Sequence, residues 1–146
     1  MTTRKPENET GDADEFLSRE SGYGASSDIL IVDDVHANVF LLENLLADTY
    51  RVESVNKADA MWKYLKNTKP GLILLDLMMP DESGFDILQK MQADENLRTI
   101  PVIVVTARDS KSDVMKCLKL GAKDYIVKPV DENTLLKKIR NILGPK

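Results

Sequence analysis

The chain has 146 residues, enough for one domain with a real core and too few for two of ordinary size. Its 20 basic residues against 24 acidic ones leave a formal charge of -4, which offers no whole-chain attraction to nucleic acid or to an anionic membrane. The composition, 42% hydrophobic and 30% charged, is that of a globular protein; with no signal peptide and no apolar stretch of membrane-spanning length, a cytoplasmic location is expected.

Residues 1–27 are rich in Gly, Ser, Thr, Asp and Glu, and Phe16, Leu17 and Tyr23 are almost their only large apolar groups. Such a segment cannot form a core of its own and reads as a flexible acidic tail. Its stretch from Asp12 to Glu20 is expected to form a helical turn or two only if a partner covers Phe16 and Leu17. From Asp28 onward apolar runs alternate with helix-period segments. The first run, DILIVDD at 28–34, predicts a strand over 28–33 that ends in the acidic pair Asp33 and Asp34. A helix is predicted over 36–48, with Val35, Val39, Leu42 and Leu46 as its core stripe. Phe40 and Leu41 fall off that stripe and hint at a docking surface. His36, the only histidine, reads as an exposed helix-start residue, because no kinase-like helical segment surrounds it.

A strand over 51–55 and a helix over 57–67 come next, with Trp62 as a packing residue rather than a ligand platform. Pro70-Gly71 introduces the run GLILLD, a strand over 71–75 with Asp76 at its carboxyl end. There follow a helix over 84–94, a strand over 101–105 ending at Thr106, and a helix over 111–120. The lone Cys117 on that helix cannot close an internal disulfide and reads as a small buried hydrophobe. A strand over 124–127 ends at Lys128, and a last helix over 131–143 is stopped by Gly144-Pro145.

Five βα units in succession predict an α/β fold, and continuous runs such as Leu72 to Leu75 and Val102 to Val105 fit strands covered by helices on both faces. The carboxyl ends of a parallel sheet open a ligand crevice, so Asp33, Asp34, Asp76, Thr106 and Lys128 are expected to meet there. Carboxylates about 5 Å apart repel by roughly 3 kcal/mol per pair at an effective dielectric of 20, and a cation must compensate. Hard oxygen donors suit Mg2+, whereas zinc would need a Cys/His cluster that the chain lacks. A fixed ammonium at Lys128 can neutralise the oxygens of an incoming phosphoryl group, and the Thr106 hydroxyl can donate to another.

The segments DILIVDD at 28–34, LILLDLMMPDESGF at 72–85, VIVVTAR at 102–108 and DYIVKP at 124–129 closely resemble the response-regulator receiver domains of two-component signalling. The resemblance runs from residue 28 to about residue 143 and implies a receiver domain over 28–146. It implies a flavodoxin-like, doubly wound five-stranded parallel sheet of order 2-1-3-4-5. Asp76 would be the phosphoacceptor, taking its phosphoryl group from a partner histidine kinase or histidine phosphotransfer protein. Asp34, Asp76 and the backbone carbonyl of Met78 would bind Mg2+ directly, and Asp33 through ordered water. Lys128, Thr106 and the backbone N–H of Ala107 would contact the phosphoryl oxygens, while Thr106 and Tyr125 would act as the switch.

Pro80 and Gly84 would shape the loop after the acceptor, and Lys128-Pro129 would be a cis peptide. Glu82-Ser83 replaces the commoner Met-Asp, a departure that touches neither metal nor phosphate. Output is expected on the face of the fourth helix, fifth strand and fifth helix, where Lys111, Lys116, Lys119 and Lys123 suit an acidic protein target rather than nucleic acid or membrane. The chain would then be a phosphoacceptor and not an enzyme that turns over a small substrate.

Three other readings share parts of this pattern. A flavin or dinucleotide module would need glycines where Asp33-Asp34 stands. An aspartyl phosphatase-like hydrolase would carry a second acid two residues after the nucleophile, where Met78 stands. A binding module could keep the fold without being phosphorylated.

Overall fold

Strands and helices alternate across residues 27–145, the part of the chain that the computed structural model describes. In chain order they are β1 (Ile29–Val32), α1 (His36–Leu46), β2 (Val52–Val55), α2 (Ala58–Asn67), β3 (Leu72–Leu75), α3 (Gly84–Ala93), β4 (Val102–Thr106), α4 (Lys111–Lys119), β5 (Asp124–Val127) and α5 (Glu132–Leu143). The five strands form one parallel sheet in the order β2-β1-β3-β4-β5, the order the resemblance implied.

The central strands explain themselves from composition. β1 (ILIV) and β3 (LILL) are buried at every position, because successive side chains enter opposite faces and helices cover both. Leu30, Val32, Ile73, Leu75 and Val104 point into one layer, where Met61, Ile87, Leu88, Met91 and Cys117 meet them. Ile29, Ile31, Leu72, Leu74, Ile103 and Val105 point into the other, against Leu42, Leu46, Leu135 and Ile139. Each such side chain contributes roughly 1.5–3 kcal/mol of burial. The edge strand β2 (VESV) is the polar one, with Glu53 and Ser54 exposed, as an edge that must resist further pairing requires.

Helix starts are set by short polar side chains. Ser83, Ser110 and Asp131 accept from the backbone N–H of Asp86, Asp113 and Thr134 at the heads of α3, α4 and α5. Helix α2 has no such residue of its own. Its first amides, those of Ala58 and Asp59, donate instead to the two carboxylate oxygens of Asp81, each at 3.0 Å.

Those two amides hold the Asp81 carboxyl below its ordinary value of 3.8. A depressed carboxylate stabilises the fold above its ordinary value, and that contribution is lost as pH falls through the lower folded one. Asp81→Asn is therefore expected to flatten the acid limb of stability below about pH 4, read from urea midpoints across that range.

Boundaries differ from the sequence reading by one or two residues, the usual scatter at frayed ends. The consequential differences are three. Strand β4 runs one residue further and takes in Thr106. Val35, placed on the core stripe of α1, instead precedes the helix and is 46% exposed, because its extended backbone turns the side chain outward. Ser27, assigned to the tail, is buried and its Oγ lies 2.6 Å from the Tyr64 hydroxyl on α2. The rest of that tail, with the turn expected over Asp12 to Glu20, lies outside the described residues.

Phe40 and Leu41 are exposed, as their places off the stripe imply. Cys117 is fully buried, and burial pushes its thiol up to about 11, so it stays protonated and inert. No described helix is long and apolar enough to cross a membrane.

Candidate functional site

The sheet order sets the carboxyl ends of β1, β3, β4 and β5 side by side, and the ladder continues one residue past the ends of β1, β3 and β5. The backbone N–H of Asp33 donates to Val55, that of Asp76 to Val32, and that of Lys128 to Thr106. Three charged residues are thus fixed by the backbone before their side chains make any contact.

The side chains of Asp33 and Asp76 repeat one pattern. In each, Oδ1 turns back to accept a backbone N–H two residues on, from Val35 at 2.9 Å and from Met78 at 3.1 Å. In each, Oδ2 accepts from the Lys128 ammonium, at 2.8 Å from Asp33 and 2.9 Å from Asp76. Both carboxylates are buried, at 2% and 6% exposure, so their repulsion is only weakly screened by water. Burial alone would lower the Lys128 ammonium, but its hydrogen bonds to Asp33 and Asp76 outweigh that and raise it above the ordinary lysine value. Lys128 therefore stands as the cation of a buried triad.

Thr106 completes the floor. It is fully buried, and its hydroxyl finds no hydrogen-bond partner among the described residues. Ala107, next along, is exposed. On the far side of the same loop the Tyr125 hydroxyl donates to the Arg108 carbonyl at 2.7 Å. Burial pushes that phenol up to about 12, so it remains a donor at any physiological pH.

Asp34 does not join the triad. It is half-buried, makes no hydrogen bond or ion pair among the described residues, and lines with Asp33 and His36 an adjoining cleft of about 390 Å3. His36 is exposed there, as expected of a helix start.

Among the described residues no three His, Cys, Asp or Glu side chains stand close enough to hold a metal by themselves. The acid trio expected from sequence is thus a pair bridged by an ammonium, with the third acid at its rim. This excludes an all-protein cage but not Mg2+, which takes one or two carboxylates and completes its shell with carbonyl, water and phosphate oxygens. The donor set fits that ion: hard oxygens of Asp33 and Asp76 already converge on one cationic atom, and Asp34 and the Met78 carbonyl are neighbours in the chain.

Two contributions were not read from the sequence. Gly84, expected to shape the loop after Asp76, does so by a close approach that the sequence does not spell out: its N–H donates to the Leu77 carbonyl at 2.9 Å, and a Cβ would lie 2.6 Å from Leu77 Cα and 3.0 Å from the Asp76 carbonyl oxygen. Gly84→Ala is expected to destabilise the domain by about 1–3 kcal/mol in urea unfolding; an unchanged midpoint would show that the loop yields freely. The second is Glu82, passed over as a neutral departure. It accepts from the Trp62 indole N–H at 2.9 Å and pairs with Lys90 at 2.6 Å. Nothing in the spacing of residues 62, 82 and 90 signals that meeting.

Comparison with known proteins agrees with this arrangement. The family described as the response regulator receiver domain matches residues 29–140. Response regulator PleD of Caulobacter vibrioides is 38% identical over 118 residues, which are 80% of this chain and 26% of PleD. The chain therefore spans about a quarter of that relative's length. Protein PilH of Pseudomonas aeruginosa is 36% identical over 80% of this chain and 97% of its own. Among solved structures, the receiver domain of sensor histidine kinase PA1611 from Pseudomonas aeruginosa superposes with a TM-score of 0.73 at 29% identity, over 83% of this chain and 100% of that one; its active-site cleft coordinates a magnesium ion.

Proposed function

Because this chain belongs to the response regulator receiver family of two-component signalling, we propose that it accepts a phosphoryl group on Asp76 from a histidine of a partner kinase or phosphotransfer protein. A carboxylate oxygen of Asp76 attacks phosphorus, the O–P bond forms as the N–P bond to the donor histidine breaks, and the departing imidazole takes up a proton. The observation that carries this reading is the single ammonium of Lys128 bridging two buried carboxylates beside an unpartnered Thr106 hydroxyl. Two carboxylates on one ammonium leave a net negative charge that a divalent cation would offset, and the Thr106 hydroxyl is a donor left over for an oxygen of the incoming group.

In this reading Lys128 shifts from the carboxylates to the phosphoryl oxygens as charge arrives on them. The Thr106 hydroxyl and the Ala107 N–H donate to the remaining oxygens. Asp34, Asp76 and the Met78 carbonyl would hold Mg2+, with Asp33 contributing less directly; the ion would supply positive charge that lets carboxylate and phosphoryl group approach. The product is an acyl phosphate on the protein itself, so labelling is stoichiometric rather than catalytic.

Output follows from Thr106 moving toward the new oxygens, which biases Tyr125 and the loop it holds through the Arg108 carbonyl. The surface above that loop is cationic and apolar together: Lys111, Lys119 and Lys123 are exposed, and so are Met115, Leu118 and Val127. Lys116 is exposed with them, as the sequence reading grouped it, and its ammonium also lies 4.3 Å from the centroid of the Phe85 ring of α3. A cytoplasmic protein with an acidic, amphipathic docking surface fits this face better than nucleic acid or membrane does.

The test is incubation with Mg2+ and acetyl phosphate, followed by mass spectrometry of the digested protein. One phosphate per chain on the peptide carrying Asp76, absent when the metal is chelated, is the expected result. Repeated turnover of the donor without retained label would favour a hydrolase instead.

A further inference from the structure

We infer that Glu82 is a positioning residue for the acceptor, holding the loop that follows Asp76 in the geometry the site needs. The inference rests on the reading of Asp76 as the phosphoacceptor. It starts from how the segment between β3 and α3 is tied down.

Gly84 closes the segment onto Leu77, backbone against backbone. Asp81 receives both leading amides of α2. Leu77 and Met79 bury their side chains in the core and Ser83 caps α3, while Glu82 is the polar side chain that reaches two helices: Trp62 on α2 through one oxygen and Lys90 on α3 through the other. The Glu82 side chain is only 15% exposed. Burying a charge that far is costly unless it is met, and here the indole hydrogen bond meets Oε1 while Oε2 has the Lys90 ion pair without a hydrogen bond of good geometry.

Inside this tied segment lies Met78, whose N–H holds Oδ1 of Asp76 and whose carbonyl is one of the proposed metal contacts. The placement of Asp76 and of that carbonyl therefore depends on where the segment sits against α2 and α3. Trp62 is half-buried against the same core and is rigid enough to serve as the anchor. Alanine in place of Glu82 would leave the indole N–H and the Lys90 ammonium without this partner and would loosen the segment against α2 and α3.

The test compares the wild-type protein with Glu82→Ala, Glu82→Gln and Trp62→Phe. Three quantities are measured: Mg2+ affinity by titration calorimetry, initial rate of labelling by acetyl phosphate, and amide exchange of residues 77–80 without metal. Glu82→Ala is expected to weaken Mg2+ binding about fivefold, at the low end of ordinary coupling between sites, with faster exchange over 77–80. Labelling should slow at limiting Mg2+ and recover at saturating Mg2+.

Glu82→Gln, which keeps an acceptor for the indole, is expected to recover most of the loss. Trp62→Phe, which removes only the donor, is expected to reproduce the Ala phenotype in weaker form and serves if the Ala variant fails to fold. A lowered melting temperature with wild-type Mg2+ affinity, labelling and exchange in these variants would overturn the inference alone. Wild-type protein that neither binds Mg2+ nor takes up phosphate would overturn the acceptor reading and this inference with it.

Discussion

Asp76→Asn is expected to take up no phosphate from acetyl phosphate or from a phosphohistidine donor, a loss of more than about a thousandfold. The amide matches the carboxylate in shape, and its oxygen can still accept the Met78 N–H that Oδ1 accepts now. Removing one of two buried carboxylates that share Lys128 also relieves repulsion, so the variant folds. The nucleophile is lost, since an amide oxygen is uncharged and its phosphoryl adduct does not persist, and with it goes the hydrogen bond from Lys128 to Oδ2. Asp33→Asn provides the contrast: it keeps the nucleophile, loses one partner of Lys128, and labels slowly on Asp76. Label that persists on another residue of Asp76→Asn would remove the acceptor assignment.

Lys128→Ala is expected to destabilise the chelator-treated protein by about 3–5 kcal/mol, the usual cost of removing one partner from a buried charge pair. Asp33 and Asp76 then face each other with no cation between them, at 2% and 6% exposure. Excess Mg2+ is expected to restore part of that loss, because an ion that binds only the folded state adds its binding free energy to stability. The same variant is expected to label about a hundredfold more slowly even at saturating metal, since an ammonium aimed at developing phosphoryl charge is gone.

The wild-type advantage over this variant has a defined pH range. A lysine raised in the folded state stabilises fully below its ordinary value of 10.5 and loses that contribution as pH rises through the higher folded value. Urea midpoints with chelator, with Mg2+ and at rising pH test all three statements. Equal stability of the two proteins in chelator would show that the carboxylates do not repel, and the site would lose its rationale.

The fold was legible because the signals for it are local. LILL and VIVVT can only be strands buried on both faces, and the polar VESV reads as an edge once the order is known. The site was legible to the level of which strand ends meet, since Asp33, Asp76, Thr106 and Lys128 each terminate an apolar run. What escaped lies in contacts between residues far apart in the chain. Lys128 bonding Asp33 spans 95 positions and Trp62 bonding Glu82 spans 20, and no periodicity encodes either. Gly84 escaped for another reason: a glycine needed for close approach is spelled the same as one needed for freedom of backbone. Val35 escaped because periodicity extends a stripe past the point where the helix begins.

Thr106 leaves the resting protein slightly ill at ease. If Thr106 has the role proposed for it, a buried hydroxyl that finds no acceptor among the described residues gains one when the phosphoryl oxygens arrive. Thr106→Val is then expected to leave quiescence undisturbed or more comfortable while muting the message.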